Sequence, residues 1–268
     1  MLLTVDIGNT NIVVGLFDHH QGAAGKDATP LRDWRVRSDA RMTADEMALT
    51  VRGLLGEYSG KITGIAALST VPALLRELKV MVNRYWPQLP RVIVEPGVRT
   101  GVPLLYDNPR ELGADRIVNT LAAYTLYGGP AIVVDFGTST NFDVISARGE
   151  FLGGALAPGI EISVDALAAR AAQLVKVQLV RPRSVIGKST VEALQSGLLF
   201  GFAGQVDGLV QRIAAELAPG AEDDVTVVAT GGLAPLLIAE SQTITHHAPH
   251  LTLRGLRMVF ERNIGPRL

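Results

Sequence analysis

Asp6-Ile7-Gly8-Asn9-Thr10-Asn11 stands between two apolar runs, Met1 to Val5 and Ile12 to Phe17. Two β-prone runs joined by a Gly/Asn turn read as a hairpin. The device returns later in the chain. Ala131 to Val134 is apolar, Asp135-Phe136-Gly137-Thr138-Ser139-Thr140-Asn141 follows, and Phe142 to Ile145 is apolar again. Laid over each other, Asp6 meets Asp135, Gly8 meets Gly137 and Thr10 meets Ser139. A separation of about 130 residues is too long for a solenoid repeat. It points to a duplicated domain.

Between and after the hairpins, strand and helix signals alternate. Thr43 with Glu46 forms a capping box that opens a helix to about Tyr58. Pro72 at a first helical position starts another, ending near Trp86. Ile65 to Leu68 and Arg91 to Glu95 read as strands, Pro96 to Pro109 as a loop, and Gly113 to Tyr127 as a helix. In the second half, helices are expected over Gly159 to Gln173 and Ser189 to Leu217, the latter with a Ser189/Glu192 capping box. Val225 to Ala229 is a strand, followed by Thr230-Gly231-Gly232 and a short helix. Alternation of this kind predicts an α/β fold. We expect one domain over 1–112 and a second over 113–268, with the last helix packing back on the first. Two such halves create a cleft, where ligands commonly bind.

Composition removes several classes of function. The 268 residues are 47% hydrophobic and 19% charged, a globular balance. A net charge of −1 offers no positive field to nucleic acid. Without cysteine there is no disulfide, thiolate metal site or cysteine nucleophile, which accords with a reducing cytoplasm. Asp6 and Asn9 break the first apolar run, so no secretory signal is expected, and no apolar run is long enough to span a bilayer.

The turn chemistry suits phosphate. Gly8 permits positive φ and close approach of a ligand. Turn amides, with Thr10, Asn9 and Asn11, can donate to phosphate oxygens. Asp6, at a strand end, is placed to hold hydrated Mg²⁺ beside a triphosphate. In the second copy Asp135 suits a cation and Thr138 a phosphate. Thr230-Gly231-Gly232 offers bare backbone where a nucleoside can rest. One such turn alone reads equally well as a tight polar hairpin. In this order, the three resemble the superfamily of acetate and sugar kinases, actin and heat-shock chaperone ATPases. That resemblance implies two ribonuclease-H-like domains with ATP in the cleft between them. It leaves the phosphate acceptor open.

The acceptor side lies in Gly113-Ala114-Asp115-Arg116, after Tyr106 and Asp107 to Leu112. Asp115 falls in the first turn of a helix, where the helix dipole favours its carboxylate form. A carboxylate there can take a proton from an attacking alcohol. Arg116 can clasp an anion as a fork. Both residues can equally serve only the helix.

Here the resemblance narrows. Asp6 to Asn11, Gly113 to Arg116, Asp135 to Thr138, Gly153-Gly154-Ala155, Pro158-Gly159-Ile160, Ile186 to Thr190, Gln195-Ser196-Gly197 and Ala229 to Gly232 together resemble the type III pantothenate kinase family, almost from end to end. The resemblance implies ATP-dependent phosphorylation of pantothenate, the first step of coenzyme A synthesis. It implies an ATP phosphate loop of Asp6, Ile7, Gly8, Asn9, Thr10, Asn11, Ile12 and Val13, with Thr138 also on ATP. It makes Asp115 the proton acceptor, with Tyr106, Gly113, Ala114, Asp115, Arg116 and Thr190 on pantothenate. Asp135 would bind a monovalent cation, K⁺ or NH₄⁺, and Mg²⁺ would accompany the nucleotide. A homodimer is implied, with Thr190 reaching the partner's pocket. Asn141 and Ser189 stand where the family pattern has threonine and asparagine. The rival readings are a nucleotide-binding regulator without kinase activity and a phosphate hydrolase of the same superfamily.

Other features read as structural. Gly197, Gly201, Gly204 and Gly208 share one helix face, which calls for another backbone close by, in the same subunit by preference or in a dimer mate. Lys188 reads as solvated, and Arg181 and Arg183 as charges on an exposed loop. The His19/His20 and His246/His247 clusters, with His250, read as surface loops.

Overall fold

The computed structural model describes residues 1–18, 29–170 and 177–265 and divides into two compact units. The first contains Met1–Pro103, Asp107–Leu126 and the chain from His250 onward. The second contains Leu104–Tyr106 and Tyr127–Pro249. The expected boundary at residue 112 therefore falls inside a stretch of the first unit. Compactness adds the following helix to that unit as well.

The first unit is built on a five-stranded sheet. Its strands are β1 (Leu2–Ile7), β2 (Asn11–Phe17), β3 (Arg32–Arg37), β4 (Gly64–Ser69) and β5 (Arg91–Ile93), in the order β3-β2-β1-β4-β5. β1 pairs antiparallel with β2 and parallel with β4. Helices α1 (Ala44–Leu55) and α2 (Pro72–Tyr85) cover one face, packing Met47, Val51, Leu74 and Leu78 on Val5, Ile7 and Ile65. The Thr43/Glu46 capping box forms in full, with Thr43 N donating to Glu46 Oε2 at 2.8 Å, and Pro72 opens α2. The other face carries α3 (Ala114–Tyr127) and the last helix. There Leu2, Phe17, Ala66 and Leu68 meet Val118 and Leu121 of α3.

The second unit repeats this plan. Its strands are β6 (Ala131–Phe136), β7 (Ser139–Ile145), β8 (Phe151–Pro158), β9 (Thr226–Thr230) and β10 (His246–His247), in the order β10-β9-β6-β7-β8. β6 takes the place of β1, antiparallel to β7 and parallel to β9. Even burial repeats, position by position, between β1 and β6 and between β2 and β7. Helices α4 (Ile160–Arg170), α5 (Thr190–Leu217) and the one-turn α6 (Ala234–Ile238) cover Ile132, Val134, Phe142 and Val227. Asp207 of α5 accepts bonds from Ser241 Oγ at 2.6 Å and from the amides of Gln242 and Thr243, fixing the chain that leads to β10.

The structure corrects several expectations. β3 and β8 occupy stretches to which the sequence reading assigned no strand. His246 and His247 are exposed but sit in an edge strand, with the His246 ring 4.7 Å from that of Tyr127. His19 and His20, and the expected helical residues 171–173, lie outside the described residues. Only half of the Ser189 box forms. Ser189 Oγ accepts from Glu192 N, but the Glu192 carboxylate turns to Lys188 N and Arg183 instead. Arg181 likewise pairs with Glu240. Among the described residues the glycine face of α5 meets no other backbone: beyond α5's own turns nothing lies within 4 Å of where a Cβ on Gly197, Gly201 or Gly204 would stand, and one on Gly208 would meet only the Arg212 side chain.

One close approach does shape the first unit. In the last helix, α7 (Leu251–Ile264), a Cβ on Gly255 would collide with the Val118 carbonyl of α3. Gly53 of α1 faces open space. Gly255→Ala is expected to lower stability by about 1–3 kcal/mol through overpacking. Gly53→Ala should raise it by up to about 1 kcal/mol through helix propensity. Urea unfolding midpoints measured side by side check both signs.

Candidate active site

In the first unit, the turn after β1 is held from behind. Gly8 N donates to Asn11 O at 2.9 Å, closing the turn. The Ile7 carbonyl accepts from Thr70 N at 3.0 Å, past the end of β4. The residue that follows β3, Ser38, makes two bonds. Its amide donates to Thr10 O at 2.9 Å and its hydroxyl to Gly8 O at 2.6 Å. Asn9 and Thr10 stay exposed, and Asp6 is half-buried at the strand end.

The second unit repeats this turn with one residue fewer. The pairing Ile7↔Ile12 encloses four residues, whereas Phe136↔Thr140 encloses three. Gly137 N correspondingly bonds to Ser139 O at 3.0 Å. Gly159, the residue after β8, donates its amide to Thr138 O at 3.1 Å, just as Ser38 does to Thr10 O. Asp6 and Asp135 correspond, as do Gly8 and Gly137. The counterpart of Thr10 is Thr138, however, and not Ser139, because the deletion lies inside the turn. Asn141 belongs to this turn's support, since Ser139 Oγ donates to its Oδ1 at 2.7 Å.

Gly8 does not use the positive φ open to it, and neither does Gly137. A Cβ at either would come no closer than 3.4 Å to any described atom beyond the adjoining residues. The fold itself therefore tolerates a side chain at both positions, and bare backbone there leaves room for something from outside. Gly231 is different. Its φ is +92°, and a Cβ would stand 2.5 Å from Phe136 O and 2.7 Å from Asp135 Oδ1. Only glycine lets the Thr230-Gly231-Gly232 turn lie over the end of β6. Thr230 Oγ1 anchors the turn by donating to Ala248 O at 2.8 Å. The helix beyond has only five residues, so the backbone turn, rather than a helix dipole, characterises this place.

Asp115 opens α3 in the first unit. Arg116 N donates to its Oδ1 at 2.9 Å, and a Cβ on Gly113 would strike that oxygen. The sequence led us to expect the helix terminus to favour the carboxylate. Burial instead pushes the Asp115 pKa above the ordinary value, and the bond from Arg116 N and the Arg116 charge only partly offset this. Arg116 itself is buried.

Tyr106 belongs to the second unit. Its ring meets Phe151 edge-on at 5.7 Å, and Leu105 N donates to Phe151 O at 2.9 Å. Thr190, the first residue of α5, is exposed in the same unit, beyond the turn at Gly187, where a Cβ would strike the Ala193 amide. No cluster of three or more acidic or histidine ligands occurs among the described residues. A cation would therefore depend on single carboxylates, Asp6 or Asp135, completed by phosphate, carbonyl or water oxygens, a donor set suited to hard cations. Ser38 escaped the sequence reading, which gave Gly159 only as a helix start and part of a family motif, not as a support for the turn. The signal for them is their position one residue past a strand that was itself not recognised.

Three solved structures share the fold. They are a Campylobacter jejuni protein assigned to the Baf family of transcriptional activators (TM-score 0.60, 20% identity, 98% of both chains covered), the ADPNP-bound activator of a Clostridium difficile 2-hydroxyisocaproyl-CoA dehydratase (0.55, 12%, covering 98% of this chain and 95% of that one), and a polyphosphate/ATP-glucomannokinase from Arthrobacter (0.52, 13%, covering 97% and 98%). Sequence relatives are far nearer. The type III pantothenate kinase of Saccharopolyspora erythraea is 69% identical over 265 residues, 99% of this chain and all of the relative. That of Rhodococcus erythropolis is 65% identical over 267 residues, 100% of this chain and 97% of the relative. The family model for type III pantothenate kinase matches residues 2–212. With two ribonuclease-H-like sheets, paired carboxylate-and-glycine turns and relatives of this identity over their whole length, the chain belongs to the type III pantothenate kinase family.

Proposed function

We propose that this protein transfers the γ-phosphoryl group of ATP to the primary hydroxyl of pantothenate, and does so in the cytoplasm. The observation that carries the reading is the pair of equivalent turns, each with a carboxylate before it and a glycine that the fold itself does not require. It is joined by full-length identity to relatives named for this activity.

Asp6 to Val13 form the ATP phosphate loop, with the turn amides and the Thr10 hydroxyl donating to phosphate oxygens. Thr138 acts likewise from the second turn, and bare backbone at Gly231 receives the nucleoside. Asp6 would hold hydrated Mg²⁺, which would supply neutralisation of the triphosphate charge. Asp135 holds a monovalent cation, K⁺ or NH₄⁺. Tyr106, Gly113, Ala114, Arg116 and Thr190 hold pantothenate, with the Arg116 fork suited to its carboxylate. Asp115 accepts the hydroxyl proton as the alcohol oxygen attacks phosphorus. The raised pKa makes it a stronger base than an exposed aspartate, and the transfer otherwise runs on positioning.

We place a second copy of the chain against the second unit. Val185 and Ile186 are 66% and 79% exposed beside Thr190, and Gly197, Gly201 and Gly204 of α5 are exposed among the described residues. Clustered apolar exposure of this kind marks interaction surfaces. Ile186→Asp should shift the protein from dimer to monomer in sedimentation velocity. A monomeric wild type at micromolar concentration would remove this part of the reading.

The deciding assay couples ADP release to pantothenate in the presence of ATP, Mg²⁺ and K⁺, with product mass checked. Asp115→Asn should lower kcat by about 10²–10⁴-fold, the usual contribution of a general base. Folded wild type that releases ADP without pantothenate would be a hydrolase, and one that binds ATP without turnover a regulator.

The pH profile gives an independent check. Asp115 must be ionised to act and its pKa lies above 3.8, so kcat/KM for pantothenate should fall on acidification with its midpoint above that of an ordinary carboxylate. The same shift means the folded state holds the proton more tightly. The contribution of Asp115 to stability should therefore decline as pH rises from 3.8 through the raised value, and Asp115→Asn should be relatively more stable at neutral pH.

A further inference from the structure

We infer that Ser38 is a positioning residue for phosphate transfer: its hydroxyl locks the Gly8–Asn9 peptide with the N–H facing the nucleotide. The inference rests on the kinase reading for the identity of the ligand. Its geometry lies wholly within the first unit.

In a trans peptide the C=O and the following N–H point in opposite directions. Ser38 pulls the Gly8 carbonyl toward itself at 2.6 Å and the Thr10 carbonyl at 2.9 Å. By that geometry the amides of Asn9 and Asn11 are aimed away from Ser38, with Asn9 exposed and Asn11 half-buried in the turn. Ser38 is itself well fixed. The β3 ladder ends at Arg37, which faces Asn11, and beyond it Met42 N closes on Asp39 O at 2.9 Å, ahead of the Thr43 cap.

The comparison of the two turns explains why a hydroxyl is needed here. A peptide between glycine and asparagine is among the easiest to flip, since both residues tolerate positive φ. A flip would exchange an N–H facing phosphate for a carbonyl oxygen that repels it. The second turn has a different guard. It is one residue shorter, its flexible peptide precedes the β-branched Thr138, and Gly159 lies so close that a Cβ there would stand 2.6 Å from Gly137 O. The longer first turn leaves space between Ser38 and Gly8, and the hydroxyl fills it.

The test compares Ser38→Ala, which deletes the tether, with Ser38→Thr, which retains it. Affinity for a nonhydrolysable ATP analogue is titrated without acceptor, alongside steady-state kinetics and thermal midpoints. Ser38→Ala should weaken analogue binding and raise KM for ATP about tenfold, as loss of one net hydrogen bond predicts. The KM for pantothenate should stay near the wild-type value, and Ser38→Thr should recover most of the loss. Wild-type nucleotide affinity in Ser38→Ala would overturn the inference. So would equal losses for both substrates that track a lowered thermal midpoint, or a failure of Ser38→Thr to recover binding. Wild type that binds the analogue yet phosphorylates no pantothenate would sink the acceptor assignment alone and leave the Ser38 comparison intact. Wild type that binds no analogue would overturn both.

Discussion

In a strand with neighbours on both edges and apolar side chains on both faces, a charge costs least at the end. β1 and β6 are such strands, and both place an aspartate next to last. The antiparallel partner must leave that end through a tight turn, while the parallel partner arrives from a helix crossover. The carboxylate, the bare turn and the end of the parallel strand are therefore forced together by topology. Thr70 N on Ile7 O in the first unit and Gly231 over Phe136 in the second are two expressions of this constraint.

A turn that is to present N–H groups outward must dispose of its carbonyls inward, because an unpaired carbonyl is costly and one facing phosphate repels it. The fold solves this with the residue that follows the third strand, and does so in both units. Strand pairing delivers Ser38 N and Gly159 N to equivalent carbonyls at 2.9 and 3.1 Å. The copies then diverge where one residue is lost from the second turn. Duplication thus preserved the backbone scaffold and left the side chains free to differ. The same asymmetry separates an N-terminal unit bearing the proposed base from a C-terminal unit bearing exposed apolar side chains around Thr190.

Asp115 illustrates why the environment of a residue outweighs its position in a helix. First-turn placement favours the anion, by an amount that is small at an exposed terminus. Burial works in the opposite direction and prevails. The resulting carboxyl is more basic than its place in the sequence implies, which suits proton abstraction. Gly113 matters to this state because any side chain there would displace the carboxylate.

The sequence alone was enough for the two hairpins, their aspartates and glycines, the capped helix at Thr43, the helix opened by Pro72 and the segment around Asp115. Each is written in local chemistry: alternation of polarity, turn residues, caps. It was not enough for β3, β8 and β10, which are edge strands. With one side largely unpaired, an edge strand can be as charged as Arg32-Asp33-Trp34-Arg35-Val36-Arg37, or have its apolar run broken by glycines as in Phe151 to Pro158, and neither shows the unbroken apolar run of a central strand. Missing those strands meant missing Ser38 and the turn-supporting role of Gly159, whose importance lies in what they reach across the sheet. The offset of Thr10 onto Thr138, the open glycine face of α5 and the raised pKa of Asp115 were likewise settled only in three dimensions. Register, close approach and desolvation are relations between segments far apart in the chain, and a linear pattern of residue types does not encode them.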